Sequence, residues 1–574
     1  MNKISKRSAP SRLRQLSALS LAVGAVVFSS TVNAQLTQNI TIGNPKALGL
    51  AHAVTADPPG IDSIHFNPAG LAKIKGRQRM LKVLAAQMTF ETDFGDRHLE
   101  EAQTGLGGKT LEQAYLDTYC GGTATDDCGY PVDTIANQSF STSKPLLMLP
   151  GSGMTEVPFL IVPFGGIAIE DPNYGWTFAT AAYSPQAIGY ERDGDANNGQ
   201  NDSYQGERVA ISRITYFSPS IGLEINDELS IGASIGFSWQ GFGIETKLRA
   251  PETTLAYLDA TVDEIHNAIS DSSLDLAAIG PYDNVGSLTL ELEDALSLTF
   301  NLGLLWEPTE WISFGLVYQS EGTSDLEGDF KMDHSAAFTE MTQSLASIPL
   351  LNTVIGAVAG APLNGQQLVE GTATLELINP AHFAIGTSIK LFPNLKVNFD
   401  IKWTDYAAWK NLEIEFDNNI DFLTVSSLVY GAGGSGFNAD GEDNADPDKM
   451  IIQRQYESVW SWAIGFEYQY NDRLVVRAGY EPRGSAVPDD RVDLLAPLAE
   501  ANLYTFGLGY QWDAYSRVDA SFGYLESSFK SPAGESQNMN STTPGQVVYN
   551  PFAFLDVEAT TTAYIFAFSY EEKF

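Results

Sequence analysis

Leu229-Ser230-Ile231-Gly232-Ala233-Ser234-Ile235-Gly236-Phe237-Ser238-Trp239-Gln240 decides the fold of this chain. Successive side chains of a β-strand point to opposite faces, so Leu229, Ile231, Ala233, Ile235, Phe237 and Trp239 share one side. The serines, the glycines and Gln240 share the other. A sheet in water has little use for a face on which Phe and Trp stand among aliphatics. A strand in a membrane barrel does, because its apolar set meets lipid and its small polar set meets the lumen. The same parity returns over 460–470, with Trp460, Trp462, Ile464, Phe466, Tyr468 and Tyr470 outward, and again over 504–512 and 518–524.

Composition points the same way. Charged residues are only 18% of the chain and aromatics are 11%, a poor balance for a surface in water. The formal charge of −38 excludes a nucleic-acid binder. Residues 1–34 read as a secretory signal: Lys3, Lys6, Arg7, Arg12 and Arg14 precede an apolar run that ends in the small-residue site Val32-Asn33-Ala34. Beyond it no apolar run reaches the roughly 20 residues a membrane helix needs. A closed sheet is then the remaining way to pair every backbone amide within lipid.

The short connections are Asp171-Pro172-Asn173-Tyr174-Gly175, Asn226-Asp227-Glu228, Glu307-Pro308-Thr309-Glu310, Phe392-Pro393-Asn394, Asn471-Asp472-Arg473 and Asp513-Ala514-Tyr515-Ser516. These six turns, with both chain ends on one side, imply fourteen strands and seven long loops. The fold expected is all-β: a 14-stranded antiparallel transmembrane β-barrel in a bacterial outer membrane, its short turns periplasmic and its long, partly helical loops extracellular. The division is 1–34 signal peptide, 35–77 an N-terminal hatch inside the lumen, and 78–574 barrel. A barrel of this size is wider than one its own side chains can fill, so the early segment is expected to cork it. The last strand ends on Phe574, with Tyr564, Phe566, Phe568 and Tyr570 on the same face, and resembles the terminal signal of bacterial outer-membrane barrels.

The loops carry further expectations. Cys120 and Cys128 stand eight apart in a polar loop of an exported chain, which favours a disulfide over a metal pair. Leu255, Leu258, Val262, Ile265 and Ile269 recur at helical spacing, and Phe338, Met341 and Leu345 begin a second such face. Either these helices pack on the rim, or their apolar faces form a greasy landing groove for a ligand. The acidic runs 193–199 and 438–446 partly resemble calcium loops but lack the glycine and glutamate that complete the motif. They read as solvated loops, or as sites for Ca2+ bridging lipopolysaccharide phosphates. No other metal or cofactor is expected.

Within the hatch, Asn67 is a good helix cap and Pro68 a good first helical residue. Asn67-Pro68-Ala69, just before the first strand, also resembles the hatch motif of the long-chain fatty acid transporter (FadL/TodX/OMPP1) family. Ser218-Pro219-Ser220-Ile221-Gly222-Leu223 with Leu229-Ser230-Ile231-Gly232 is similar to that family's fourth and fifth strands. Leu316-Val317-Tyr318-Gln319-Ser320-Glu321 is similar to its seventh, and Ala478-Gly479-Tyr480 with Ala486-Val487-Pro488 to its eleventh and the loop after it. The resemblance implies passive uptake of hydrophobic compounds, long-chain fatty acids first among them. The implied route is capture among outer loops, hatch movement, and sideways exit through the barrel wall.

Particular residues fit that route. Ser184-Pro185 interrupts the third strand and Gly189 follows, and proline in a strand belongs to edges and bulges. Either the strand has left the membrane there or the wall opens. Lumen parity selects Lys402, Arg477 and Arg517 as partners for a ligand carboxylate, or as lumen charges that pair with one another or with the hatch. His52, His65, His98, His266, His334 and His382 are scattered and no nucleophile elbow accompanies them, so an enzyme is not expected. The alternatives are a carrier of alkanes or aromatic hydrocarbons in the same fold, and a general porin. The partners expected are a hydrophobic small molecule, outer-membrane lipid and lipopolysaccharide, and the barrel-assembly machinery, with a single copy of the chain sufficient.

Overall fold

The computed structural model describes residues 39–98, 111–125, 128–157, 160–192, 204–249, 279, 282–432, 445–496, 499–541 and 550–574. The strands of the wall are β1 (Arg77–Arg97), β2 (Leu160–Asp171), β3 (Trp176–Glu191), β4 (Arg208–Phe217 and Ser220–Asn226) and β5 (Leu229–Arg249). They continue as β6 (Asn284–Thr309), β7 (Ile312–Gln319 and Gly322–His334), β8 (Leu368–Asn379 and His382–Phe392), β9 (Leu395–Thr404) and β10 (Val459–Gln469). The series ends with β11 (Leu474–Arg483), β12 (Ala501–Gln511), β13 (Ser516–Ser531) and β14 (Leu555–Lys573). Each pairs antiparallel with the next, and β14 returns to β1 from Gln78↔Lys573 to Arg97↔Leu555, so the sheet is a closed fourteen-stranded barrel.

Alternation builds the wall as the sequence predicts. Ile231, Ile235, Leu302, Trp306, Tyr504, Phe506, Tyr564, Phe566 and Phe568 are all exposed outward. The periplasmic turns are held by their own side chains: Asn226 Oδ1 accepts from the amides of Glu228 and Leu229 at 2.9 Å each, and Asn471 does the same for Arg473 and Leu474. Three strands are broken once. In β4 the gap at Ser218-Pro219 is bridged by the Ser218 hydroxyl, which donates to Ala181 O at 2.7 Å and accepts from Ala181 N at 3.1 Å.

Two expectations are corrected, one about facing and one about strand extent. Trp239 is buried, because a hairpin of the first outer loop, residues 144–156, lies on the outside of the wall there. Its Met148 and Met154 fill the space left by Gly241 and Gly243, on the same outward face. The third strand does not stop at Ser184-Pro185: it bulges between Tyr183 and Gln186 and runs on to Glu191.

The outer loops close over the mouth with a core of their own. After the short helices α1 (Pro45–Gly49), α2 (Ser63–Phe66) and α3 (Leu111–Tyr119), Phe338, Met341 and Leu345 of α4 (Ala336–Ala346) are buried in it, with Leu351 and Ile355 of α5 (Pro349–Ala359) and Leu423 of α6 (Asp421–Ala432). Cys120 and Cys128 form a disulfide. Asp133 anchors that loop: Arg249 donates to both its oxygens, at 2.9 and 3.0 Å, and Arg97 donates as well. Burial opposes the charge on Asp133, but Arg249 and Arg97 outweigh it and hold the carboxyl down at about 2.

Candidate functional site

Residues 39–76 lie inside the barrel, most of them buried. Asn44 caps the short helix Pro45–Gly49, its Oδ1 accepting from Ala47 N at 2.9 Å. Asn67 caps the helical turn Pro68–Lys73 and also donates to Thr55 O at 2.7 Å and to Leu304 O of β6 at 3.1 Å. One side chain thus starts a helix, closes the hatch on itself and ties it to the wall. Alternation alone did not reveal why the hatch fits. A Cβ at Gly303 would lie 2.1 Å from Asn67 Oδ1, one at Gly232 2.2 Å from the Pro68 carbonyl, and one at Gly315 2.0 Å from Thr55 O. Gly222, Gly465 and Gly479 make similar room for Ala72, Leu50 and Ala51. The signal was in the sequence: these glycines occupy inward positions of alternating strands, where the hatch backbone approaches most closely.

Polar contacts complete the seal. Lys82 donates to Asp62 at 2.7 Å, Thr55 N to Asp400 at 2.8 Å, and Lys396 reaches Asp57 and Glu467 at 2.5 and 2.8 Å. Lys402 lies 2.8 Å from Glu481, which also faces Arg483 at 2.8 Å and His52 of the hatch at 2.9 Å. Arg477 meets Glu467 and Asp519 at 2.7 and 2.6 Å, and Arg517 meets Asp519 at 2.6 Å. The three cations selected for a ligand carboxylate are therefore paired with carboxylates of the protein, and none lines an apolar cavity.

The apolar space lies above the hatch. A narrow cavity of about 100 Å3 is lined by Phe90, Tyr190, Val209, Ile211, Phe242, Leu375, Leu377, Leu412 and Leu495. Below it a polar annex of about 100 Å3 holds Asn39 and His65 of the hatch with Tyr183, Arg213 and Gln319, and Gln186, Tyr406 and Trp409 border both. Arg213, one pleat below Ile211, is buried; Nη2 makes a long 3.4 Å bond to Thr299 and Nε has no partner. Arg192 is also buried, at 5.5 Å over the Phe90 ring and 5.4 Å over the Tyr190 ring. Its Nη2 donates to Leu494 O and Gln205 O, at 2.6 and 2.5 Å, while Nε and Nη1 have no partner. Among the described residues no carboxylate pairs with either arginine. Arg454 lines the cavity too, but is paired with Asp493.

A third cavity, about 80 Å3, leads from this space to the wall. It shares Met88, Ile188, Gly189 and Thr561 with the first. β2 and β3 pair only from Asp171↔Trp176 to Gly165↔Ala182; above that, Leu160–Phe164 stays on β1 while β3 turns away. Ser184 sits at the turn, its hydroxyl donating to Arg213 O at 2.8 Å and Gln186 O at 2.9 Å, and Thr41 of the hatch donates to Ser184 O at 2.9 Å. Ser184-Pro185 and Gly189 thus stand at the place where the ladder is interrupted.

The outer-loop expectations fare differently. Phe338, Met341 and Leu345 are 2%, 7% and 4% exposed, so they build the loop core rather than an open groove. The exposed apolar stripe is Leu350, Val354 and Val358 on α5, a turn apart each. Leu258, Val262 and Ile265, the signal segment 1–34 and nearly all of both acidic runs lie outside the described residues. Among the described residues no group of three His, Cys, Asp or Glu side chains could hold a metal.

The geometry has known counterparts. Residues 24–574 match the family described as outer membrane protein transport protein (OMPP1/FadL/TodX). A long-chain fatty acid transport protein of Escherichia coli O6:H1 is 22% identical over 233 residues, 40% of this chain and 43% of that one, so the likeness spans less than half of that relative. Among solved structures, a Pseudomonas aeruginosa FadL homologue superposes with a TM-score of 0.60 at 16% identity, over 95% of this chain and all of that one. The P. putida toluene transporter TodX gives a TM-score of 0.54 at 14% identity, over 93% and 99%. A closed barrel of fourteen strands, corked by its own early residues and matched by the family profile nearly from end to end, makes this chain a member of the OMPP1/FadL/TodX family of outer-membrane transport proteins.

Proposed function

We propose that the protein carries long-chain fatty acids inward across the outer membrane without an energy source. The observation that supports an acid over a neutral hydrocarbon is Arg213, buried in the polar annex directly below the apolar cavity, with Arg192 buried over the cavity-lining rings of Phe90 and Tyr190, neither with an acidic partner among the described residues. A buried charge without a counter-ion costs several kcal/mol, and a ligand carboxylate would relieve it. The alkyl tail gains about 0.8 kcal/mol per buried methylene in the cavity above Arg213. Entry begins on the exposed α5 stripe, Leu350, Val354 and Val358. Exit runs past Ile188 and Gly189 into the bilayer between β2 and β3, which keeps the tail out of water throughout. Small shifts of the hatch, which forms the floor through Asn39 and His65 and the threshold through Ile40 and Thr41, open that passage. One copy, inserted by the barrel-assembly machinery among lipopolysaccharide, contains the whole route.

Displacement of an environment-sensitive dye from delipidated protein tests the reading. Laurate should compete at least roughly tenfold better than 1-dodecanol, the ratio expected for one charge-assisted hydrogen bond. Equal competition would sink it. The rival reading, a carrier of neutral aromatic hydrocarbons, draws on the apolar cavity lining and the likeness to TodX. Toluene competing where laurate does not would establish that rival instead.

A further inference from the structure

The geometry points to the hairpin of residues 144–156 as an external lintel over the wall opening, and to its inner corner, Pro145 and Leu146, as the element that limits the cross-section of what leaves. This rests on the exit route proposed above and adds a determinant of specificity to it. The β2-side edge of β3 is unclaimed from Tyr183 upward, but at its top Lys144↔Glu191 and Pro145↔Tyr190 take the place β2 has left. Thr142 Oγ1 donates to Glu191 O at 2.7 Å and Lys144 Nζ lies 3.1 Å from Glu191 Oε1, so the corner is pinned. Pro145 and Leu146 then border the exit cavity directly, facing Leu160 and Gly189. A Cβ at Gly189 would lie 2.5 Å from Leu146 O, so the lintel rests against β3 with no room to spare.

From that corner the hairpin crosses the outside of the wall. Gly151 N and Met154 N donate to Glu293 Oε2 and Glu291 Oε1 of β6 at 3.3 and 3.0 Å, and Arg208 Nη2 of β4 donates to Met154 O at 3.3 Å. Met148 and Met154 are its apolar seat, set over Gly241 and Gly243 of β5. Thioether side chains on glycine troughs are an adaptable contact, unlike the interlocked wall beneath. The opening therefore has two jambs, β1 with the end of β2 on one side and β3 on the other, and a separately anchored top. A slender alkyl chain passes under it; a wide ring system meets Pro145 and Leu146.

Two variants test this without touching the lumen. Residues 147–155 are excised and closed with two glycines, or Gly243→Leu places a side chain where Met154 sits, since even its Cβ would come 2.5 Å from Met154 Cγ. Retained heat-modifiable mobility shows that the barrel is assembled; if the excision fails that check, Gly243→Leu decides alone. Uptake of palmitate and of a pyrene-tailed fatty acid is measured in cells that depend on this chain for hydrophobic uptake. The expected result is a rise of roughly fivefold in the pyrene-to-palmitate ratio, with palmitate uptake itself kept. An unchanged ratio in an assembled variant overturns the lintel while leaving the route intact. Failure of the parent protein to take up palmitate at all overturns the route itself, and the lintel with it.

Discussion

Lys402 of β9 and Arg213 of β4 face the same lumen and both are buried, yet only Lys402 has an acid beside it. The difference divides the interior into two regions. On the β9–β13 side the cations and carboxylates satisfy one another and the hatch, through Glu481, Glu467, Asp519 and Asp57. On the β3–β4 side Arg213 lies in the polar annex below the apolar cavity and Arg192 over the rings of Phe90 and Tyr190, both with nitrogen atoms to spare. Parity picks out inward cations such as Lys402, Arg477 and Arg517 but cannot say which is already engaged; only the cross-lumen partner distinguishes a strut from a receptor.

The sharpest way to break this division is to remove the hatch from it. Gly303→Leu would drive a side chain into Asn67, and Gly232→Leu one into Pro68. Either should raise steady conductance in planar bilayers at least roughly tenfold over the parent, as for an uncorked barrel. A barrel that stays closed would mean that the glycine positions do not hold the cork. Next in size, Lys402→Met leaves Glu481 with Arg483 as its remaining cation and should cost about 1.5–3 kcal/mol of stability, read as an earlier thermal transition, with laurate affinity kept. Arg213→Met should do the reverse, raising the transition temperature while laurate affinity falls roughly tenfold or more. Matching effects from the two substitutions would erase the distinction.

Smaller effects belong to the outer loops. The Asp133 carboxyl is depressed to about 2, so the stability it lends is present above the unfolded value near 4 and is lost as pH falls through 2. The first loop should therefore resist protease unchanged at pH 5 and loosen only towards pH 2, by about 2 kcal/mol. Loosening at pH 5 would show that Arg97 and Arg249 do not set its charge. Reduction of the Cys120–Cys128 bridge should have the least consequence, since it closes a loop remote from hatch and cavity. Cleavage within that loop should quicken, while dye displacement by laurate stays as it was.

The wall was legible because one face of each strand repeats the same choice. Trp460, Phe506 and Phe566 are exposed where alternation puts them, and Asn226 and Asn471 turn the chain where their side chains can bind it. Ser184-Pro185 was legible as an irregularity, because a proline has no amide to give its neighbour. What could not be read was anything that depends on one strand meeting a distant one. Lys402, Arg477 and Arg517 were chosen from their own strands alone, and Glu481 and Asp519, which engage them, are fixed by barrel closure. Arg213 and Arg192 carry no periodic signature that separates them from other inward residues. Trp239 followed the rule for its strand and was covered by a hairpin about ninety residues earlier in the chain.

The interrupted ladder has one more effect, on the order in which the molecule comes apart. From Tyr183 to Gly189, β3 is clasped by a single neighbour, whereas most of the cylinder is clasped by two. Amide protons along that orphan edge should trade for deuterium ahead of the rest of the wall, and warming should part the staves there first. A cylinder with a weak stave has a predetermined seam, and its whole circumference need not soften for it to yield.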